Sequence, residues 1–295
     1  MGYSVQQSPR VSVIIPAVGR VKLLERAISS VFRQSVPIEV IVIDDASTLP
    51  LEHSLSLTSL NRIRLLRNKI RMNAAYSRNL GVKHATANIV AFLDSDDEWL
   101  PEHLSITLEK TDFSKSCIYI TPLKNTDEGG KCIHNAYNYL FGGGGDFRTS
   151  GLVCSKSAFN LAGGFDIALN KHQDWDFTLR SSNYCCLYLG KLATVKINTT
   201  APSRMSYRPN LDASKRFFDK HQKRMNLTQR CVFFSGIIRS CVYSKKNMKI
   251  NQAKYWILSE NIKPSNFDPV TQICWHFPLL GMSLLRLRQL SRIVF

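Results

Sequence analysis

The residues best suited to chemistry lie in Ile89-Val-Ala-Phe-Leu-Asp-Ser-Asp-Asp-Glu98, an apolar run that ends in four acids within five positions. Left alone, those carboxylates would repel one another strongly. A divalent cation relieves that repulsion, and hard oxygen ligands suit Mg²⁺ or Mn²⁺. Asp94 and Asp96 share one face of an extended chain, so both can point into a crevice. There a metal would bridge a diphosphate and neutralise charge on a departing nucleotide. The competing reading is a solvated acidic turn that caps a helix starting near Pro101, since Asp and Glu suit helix N-termini.

The elements that must position these acids alternate along the first half of the chain. Val11 to Ile15 is a buried strand stopped by Pro16. Leu23, Leu24, Ala27, Ile28, Val31 and Phe32 recur at helical spacing, which predicts an amphipathic helix over 21–34. Glu39 to Ile43 is a second strand ending at Asp44-Asp45, and Ile63 to Leu66 is a weaker third. Residues 73–87 are expected to be helical despite Gly81, and they lead into the strand Ile89 to Leu93. Such alternation implies an α/β fold with a mostly parallel central sheet flanked by helices. In sheets of that kind the ligand crevice lies beyond the carboxyl ends of the strands, where these acids fall.

From about residue 115 to 150 the pattern is irregular. Gly142 to Gly145 form either a mobile loop near a site or a plain connector, because four glycines order at high entropic cost. Helices are expected again at 155–162 and 174–182, and then at 213–226, 229–244, 250–261 and 278–294.

With these elements in place, the chain over 11–182 resembles the family 2 glycosyltransferases of the GT-A, Rossmann-like fold. The resemblance rests on Val11-Ser-Val-Ile-Ile-Pro-Ala-Val-Gly-Arg20, Asp44-Asp45-Ala46-Ser47-Thr48, Asn73-Ala-Ala-Tyr-Ser-Arg-Asn-Leu-Gly81, Asp94-Ser95-Asp96, Gly163-Gly-Phe-Asp166 and Gln173-Asp-Trp-Asp176. Each is weak alone; their shared order makes the match specific. The resemblance implies that Asp45 bonds a nucleobase in a pocket lined by Pro16 and Ala17. It also implies that Arg78 contacts the nucleotide, that Asp94 lies near the ribose, that Ser95 is a further nucleotide-sugar contact, and that Asp96 holds the metal, Mn²⁺ or Mg²⁺, on the diphosphate. A turn-forming Asp45 and a solvent-facing Arg78 are the plain alternatives. Family members invert the anomeric centre by direct displacement, which makes Asp174 the expected general base. His172 and Asp176 compete for that role, and the plain alternative for Asp174 is a helix N-cap.

Two departures from the family pattern bear on the expected chemistry. Gln173 stands where an acid usually precedes the base, removing a neighbouring carboxylate. Val18-Gly19 replaces the usual Tyr-Asn, and with it an aromatic platform for the base. UDP is the expected nucleotide, as the commonest donor in the family. The acceptor is expected to be a saccharide, lipid-linked as in relatives that build O-antigen, capsule or lipopolysaccharide.

Charge is unevenly spread. Residues 202–295 carry 17 Lys and Arg against 4 Asp and Glu, whereas residues 1–201 carry 22 against 18. This divides the chain into a catalytic domain over 1–210 and a basic helical region over 211–295. Leu280, Leu284, Leu287 and Val294 fall near one helical face, with Arg288 and Arg292 elsewhere on the cylinder. Such a helix either lies on an anionic membrane surface or belongs to a packed helical subdomain. No apolar run is long enough to span a bilayer, and no signal peptide is expected. The eight cysteines, without a CxxC pair, read as reduced thiols. A cytoplasmic enzyme, peripheral on the inner membrane face, follows from these expectations.

Rival readings are less complete. A phosphatase of the haloacid dehalogenase type places its Asp-x-Asp near the chain start, and Glu98 stands where Thr or Val is needed. A nucleotidyltransferase acting on sugar phosphates needs a glycine-rich basic loop after the first strand, and Pro16-Ala-Val-Gly-Arg20 is a poor one. A non-enzymatic nucleic-acid binder would explain the basic tail but not Asp94, Asp96 and Asp174. Nucleic acid is therefore not an expected partner.

Overall fold

The structure is a computed structural model in which residues 8–142, 145–198, 209–244 and 247–291 are described. Gly143, Gly144, Arg292 and Val294, singled out above, lie outside these residues. The chain divides into two compact units, Met1–Ala136 with Gly145–Thr199, and Tyr137–Gly144 with Thr200–Phe295.

The first unit opens with β1 (Val11–Ala17), α1 (Val21–Phe32), β2 (Ile38–Asp44), the single turn α2 (Leu57–Leu60), β3 (Arg64–Arg67), α3 (Ala74–His84) and β4 (Ile89–Phe92). Pairings β1–β2, β2–β3 and β1–β4 are parallel. Consecutive strands thus step one way from β1, and β4 then returns to its other side. The reversal opens a crevice at the carboxyl ends of β1 and β4.

The expectation that Pro16 stops the first strand is corrected: β1 runs through it to Ala17. Ile14 accepts from Leu93 N–H on the β4 side, and Ala17 accepts from Asp45 N–H on the β2 side. By alternation Pro16 faces the β4 side, where pairing has already ended at Ile14. The missing N–H therefore costs no ladder bond.

After β4 come the two-residue strand β5 (Glu98–Trp99), α4 (His103–Lys110), β6 (Cys117–Ile120), β7 (Lys131–Cys132), α5 (Ala136–Gly142), β8 (Leu152–Ser155), α6 (Lys156–Leu161), α7 (Gln173–Ser181), β9 (Cys186–Leu189) and β10 (Val195–Lys196). The main sheet has the order β3-β2-β1-β4-β8-β6-β9-β7, and β10 pairs with β5 separately. Pairing is antiparallel at β4–β8, β6–β8 and β7–β9, and parallel again at β6–β9. The region read as irregular thus supplies β6, β7 and α5, all too short to show a period.

The core lies between the sheet and its helices. Val13, Ile15, Leu24, Ala27, Ile28, Val31, Val40 and Val42 are buried together. On the opposite face α3 packs against β1 at Gly81. A Cβ there would overlap Ile14 Cγ2 and lie 3.0 Å from Ile43 Cδ1.

The second unit takes Tyr137–Gly142 of α5 together with α8 (Leu211–His221), α9 (Leu227–Tyr243), α10 (Asn247–Ser259), α11 (Pro269–His276) and α12 (Pro278–Ser291). Its core is aromatic: Phe218 meets Phe234 at 4.8 Å, and Phe234 meets Trp256 edge-on at 5.0 Å. A capping box between Asn226 and Gln229 starts α9, and Asp268 with Pro269 starts α11. Among the described residues no helix is long and apolar enough to cross a membrane.

The reading of every cysteine as a reduced thiol is corrected at one pair. Cys132 and Cys186 form a disulfide, with Cα atoms 6.0 Å apart, diagonally across β7 and β9. The other six are free, all of them buried except the half-buried Cys185. Sequence spacing could not show the pairing, because β7 itself was not legible.

Candidate functional site

The four acids after β4 are separated by giving each its own partner. Asp94 Oδ1 accepts from Arg78 Nη2 at 2.6 Å. Asp96 Oδ2 accepts from Arg20 Nη1 at 2.8 Å. Asp97 is buried and accepts from Ser150 Oγ at 2.6 Å and from Asn198 N–H at 2.8 Å. Glu98 pairs with Arg26, whose Nε lies 3.0 Å away. The capping alternative fails, because the N-cap of α4 is Glu102 and no acid occupies its first turn.

Asp97 holds its proton up to about pH 6. Burial is the main cause, the charge of Asp94 adds to it, and the Ser150 hydroxyl and Asn198 N–H work against it. Ser150 Oγ also accepts from Asp94 N–H at 3.1 Å, and Ser150 C=O accepts from the Trp99 indole at 2.7 Å. One serine thus fixes both ends of the acidic turn.

Arg78 connects this turn to α7. It projects from α3, is only 4% exposed, and donates through Nη1 to Gln173 Oε1 at 2.9 Å while Nη2 holds Asp94. Gln173 in turn donates to Leu169 C=O at 2.5 Å. Beside Arg78 on α3, Asn79 brackets Phe165, accepting from its N–H at 2.9 Å and donating to its C=O at 2.8 Å. Gly163 and Gly164 precede it at φ 72° and 69°, conformations that glycine adopts without a Cβ penalty. Phe165 then packs edge-on to Phe92 of β4 at 5.1 Å.

Asp174 sits in the first turn of α7, half-buried, with Oδ1 accepting from Trp175 N–H at 3.0 Å. It is not the N-cap; that position is His172, in the left-handed region at φ 62° with no side-chain capping hydrogen bond. Its pKa is raised to about 7, first by burial and then by the charge of Asp146, with the Arg78 guanidinium and Trp175 N–H opposing. The two competitors differ in kind. Burial holds His172 neutral, with its pKa lowered to about 3. Asp176 is fully buried and ion-paired with Arg180 at 2.8 Å.

Asp45 is also buried, and its carboxylate is occupied within the fold. It accepts from Asn68 Nδ2 at 2.7 Å, Met72 N–H at 2.9 Å and Asn73 N–H at 3.1 Å. Asp44 accepts from Ser47 N–H at 2.8 Å and pairs with Arg67. Ala46 between them takes φ 54°. Pro16 and Ala17 are buried at the end of β1, and Ser95 is buried between the half-buried Asp94 and Asp96.

The structure therefore brings together Arg78, Asp94 and Gln173, with Asp174 adjacent, and sets Asp96 beside Arg20. It places Asp45 in a separate network with the 68–73 loop. Sequence reasoning missed Arg20, Asp97, Ser150 and Asp146. Asp97 was visible as part of the acidic run; the others carried no local signal.

The donor set suits a hard cation without caging it. Among the described residues no three His, Cys, Asp or Glu side chains gather into a metal site. Asp94 and Asp96 keep side-chain exposures of 39% and 20% at the crevice. One or two carboxylates with phosphate oxygens and water is a usual Mg²⁺ environment.

A mostly parallel sheet with an Asp-x-Asp turn at its switch point, backed by an acidic helix start, is the architecture of a GT-A glycosyltransferase domain. Residues 12–166 match glycosyl transferase family 2, and the chain belongs to that family. It is 30% identical over 191 residues to an uncharacterized glycosyltransferase of Rickettsia felis, covering 64% of this chain and 31% of that protein. The match to the UDP-Glc:alpha-D-GlcNAc-diphosphoundecaprenol beta-1,3-glucosyltransferase WfgD of Escherichia coli is 35% over 99 residues, 33% of this chain and 39% of WfgD. The crystal structure of S. aureus TarS 1–349 in complex with UDP-GlcNAc shares the fold, with a TM-score of 0.52 at 14% identity, covering 92% of this chain and 89% of that one. The chain thus spans about a third of the length of the first of these relatives.

Proposed function

We propose that this chain transfers a sugar from a nucleotide-sugar, with UDP as its nucleotide, to a saccharide hydroxyl with inversion. The observation that carries the reading is Arg78, which joins Asp94 at the strand end to Gln173 beside Asp174. Asp174 would take the proton of the acceptor hydroxyl as its oxygen attacks the anomeric carbon. The bond to the diphosphate breaks on the opposite face, and its electron pair leaves with the nucleotide. A carboxylate titrating near neutrality is well matched to that task. Asp94 with Ser95 would lie at the ribose and Asp96 would hold Mn²⁺ or Mg²⁺, which neutralises charge on the leaving diphosphate. Arg20 would have to release Asp96 or share it. Pro16, Ala17 and Asp45 would border the base; Asp45 accepts three hydrogen bonds from the 68–73 loop, only one of them on Oδ2, which would leave that oxygen able to accept from the base.

The test is UDP release from a panel of UDP-sugars with and without Mn²⁺. Asp174→Asn should lower kcat by at least about 10²-fold with donor binding retained. Near-normal turnover in that variant would remove Asp174 as the base. Donor binding is read independently as thermal stabilisation, about 2.7 kcal/mol at a hundredfold excess over Kd.

The finer assignments extend the same reading. The acceptor would be a lipid-linked saccharide on the way to a surface polysaccharide; WfgD's name specifies a lipid-linked substrate, alpha-D-GlcNAc-diphosphoundecaprenol. Residues 1–210 would form the catalytic domain, and the basic region 211–295 would rest on the cytoplasmic face of an anionic membrane. Exposed Tyr255 and Leu258 on α10, with Leu279, Leu280 and Leu287 on α12, support that contact.

A further inference from the structure

Gln173 deprives the first turn of α7 of the acid that usually precedes the base, yet the structure supplies a carboxylate from elsewhere. Asp146 lies in the stretch leading to β8, 28 positions before Asp174 and with no motif to mark it. Its Oδ1 accepts from the Trp175 indole N–H at 3.0 Å, and its Oδ2 accepts from Arg148 Nε at 2.8 Å. The side chain is 21% exposed. Trp175 is the residue next to Asp174, and its ring lies 4.8 Å from that of His172. Asp146 therefore grips the one-turn segment that carries the base.

We propose that Asp146 is a positioning residue that replaces the acid missing at 173: it clamps Trp175 to fix the first turn of α7 and presents a second carboxylate to Asp174. This rests on Asp174 being the base, as proposed above. The arrangement separates two duties that one adjacent acid would combine. An acid at 173 would sit on Arg78 and compete with Asp94 for its charge. Gln173 gives Arg78 a neutral acceptor instead and leaves the guanidinium to Asp94. The like charge that keeps Asp174 basic then comes from Asp146, the largest contributor after burial. The other charged groups near Asp174 are Arg78, which opposes, and Asp94, which adds slightly. Lys171 and neutral His172 precede α7, and Asp176 is spent on Arg180. Arg148 acts through Asp146, because it neutralises part of that charge.

The experiment follows the carboxyl carbons of the ¹³C-aspartate-labelled 295-residue chain by NMR from about pH 4 to about pH 9. The Asp174 signal is assigned by its loss in Asp174→Asn, and in the native protein it should titrate near pH 7, where burial and Asp146 place it. Asp146→Asn, which keeps an oxygen for the Trp175 indole, should lower that midpoint by about one pH unit. Arg148→Gln, which leaves Asp146 uncompensated, should raise it, and Asp146→Glu should restore the native value. Opposite shifts in the two variants would not arise from a merely structural role. Midpoints that stay within about 0.3 unit of native, or move together, overturn the proposal. Because the readout needs no turnover, a failure of Asp174 as base appears separately, as UDP release that survives Asp174→Asn.

Discussion

Asp174 carries a measurable consequence of its surroundings. Its raised pKa means the folded protein binds a proton that the unfolded chain has already lost between the ordinary aspartate value and about 7. The sign is therefore unfavourable: stability attributable to this group is greatest below the unfolded pKa and falls as pH rises through the folded one. Asp97, raised to about 6, acts in the same direction. Asp174→Asn should therefore be more stable than the native protein at about pH 8 and nearly equal at about pH 4, as chemical denaturation would show. Native UDP release should show the opposite trend, with kcat/KM climbing to a plateau above about pH 7, because a base acts only when ionised. A profile flat from about pH 5 to about pH 8 would dissociate the group from the reaction. Asp96→Ala makes a separate test: it should abolish Mn²⁺ stimulation and leave Arg20 unpaired at the crevice. Unchanged Mn²⁺ dependence would move the metal elsewhere.

Elements explain why some of this was legible and some was not. β1, β2 and β4 are largely apolar runs and α1 repeats its apolar residues at helical spacing, and the sequence placed these four and α3 within a few residues. Asp94 and Asp96 stood out because they follow the apolar run of β4, whereas Arg78 on α3 and Asp174 on α7 were marked only by the family resemblance. β6, β7 and β9 pair across long intervals of chain, and nothing local marks their partners. Ser150 and Asp146 act through contacts that the short strands create. Gly81 shows the same balance. In isolation Ala would favour α3 by about 1 kcal/mol. Here its methyl would overlap Ile14 in the central strand, flanked by β2 and β4, and neither element can retreat freely. Gly81→Ala should destabilise the protein by about 1–3 kcal/mol. Gly164→Ala should act more locally: its φ of 69° and a Cβ only 2.9 Å from Asn79 Oδ1 would break the bracket on Phe165. Lower turnover with a smaller loss of stability would fit that difference.

At the scale of the whole molecule, chemistry and charge occupy different lengths of chain. The proposed site falls entirely within the first unit, whereas residues 202–295 hold 17 cations against 4 acids. Within the second unit the aromatic core is satisfied internally by Phe218, Phe233, Phe234 and Trp256. The outward residues Tyr255, Leu258, Leu279, Leu280 and Leu287 are therefore surplus to that core. Surplus apolar side chains on a strongly basic body favour an anionic lipid surface over a neutral one, since each Lys or Arg at such a surface adds about 1 kcal/mol. The 295-residue chain should therefore sediment with vesicles of phosphatidylcholine and phosphatidylglycerol, remain free with phosphatidylcholine alone, and dissociate as salt shortens the Debye length. Leu280→Ser with Leu287→Ser should weaken binding while UDP release from a soluble acceptor stays native. Both positions are more than half exposed, so folding should survive the change. Equal sedimentation with neutral and anionic vesicles would remove charge as the driving force. Binding unaffected by the double substitution would show that α12 does not make the contact.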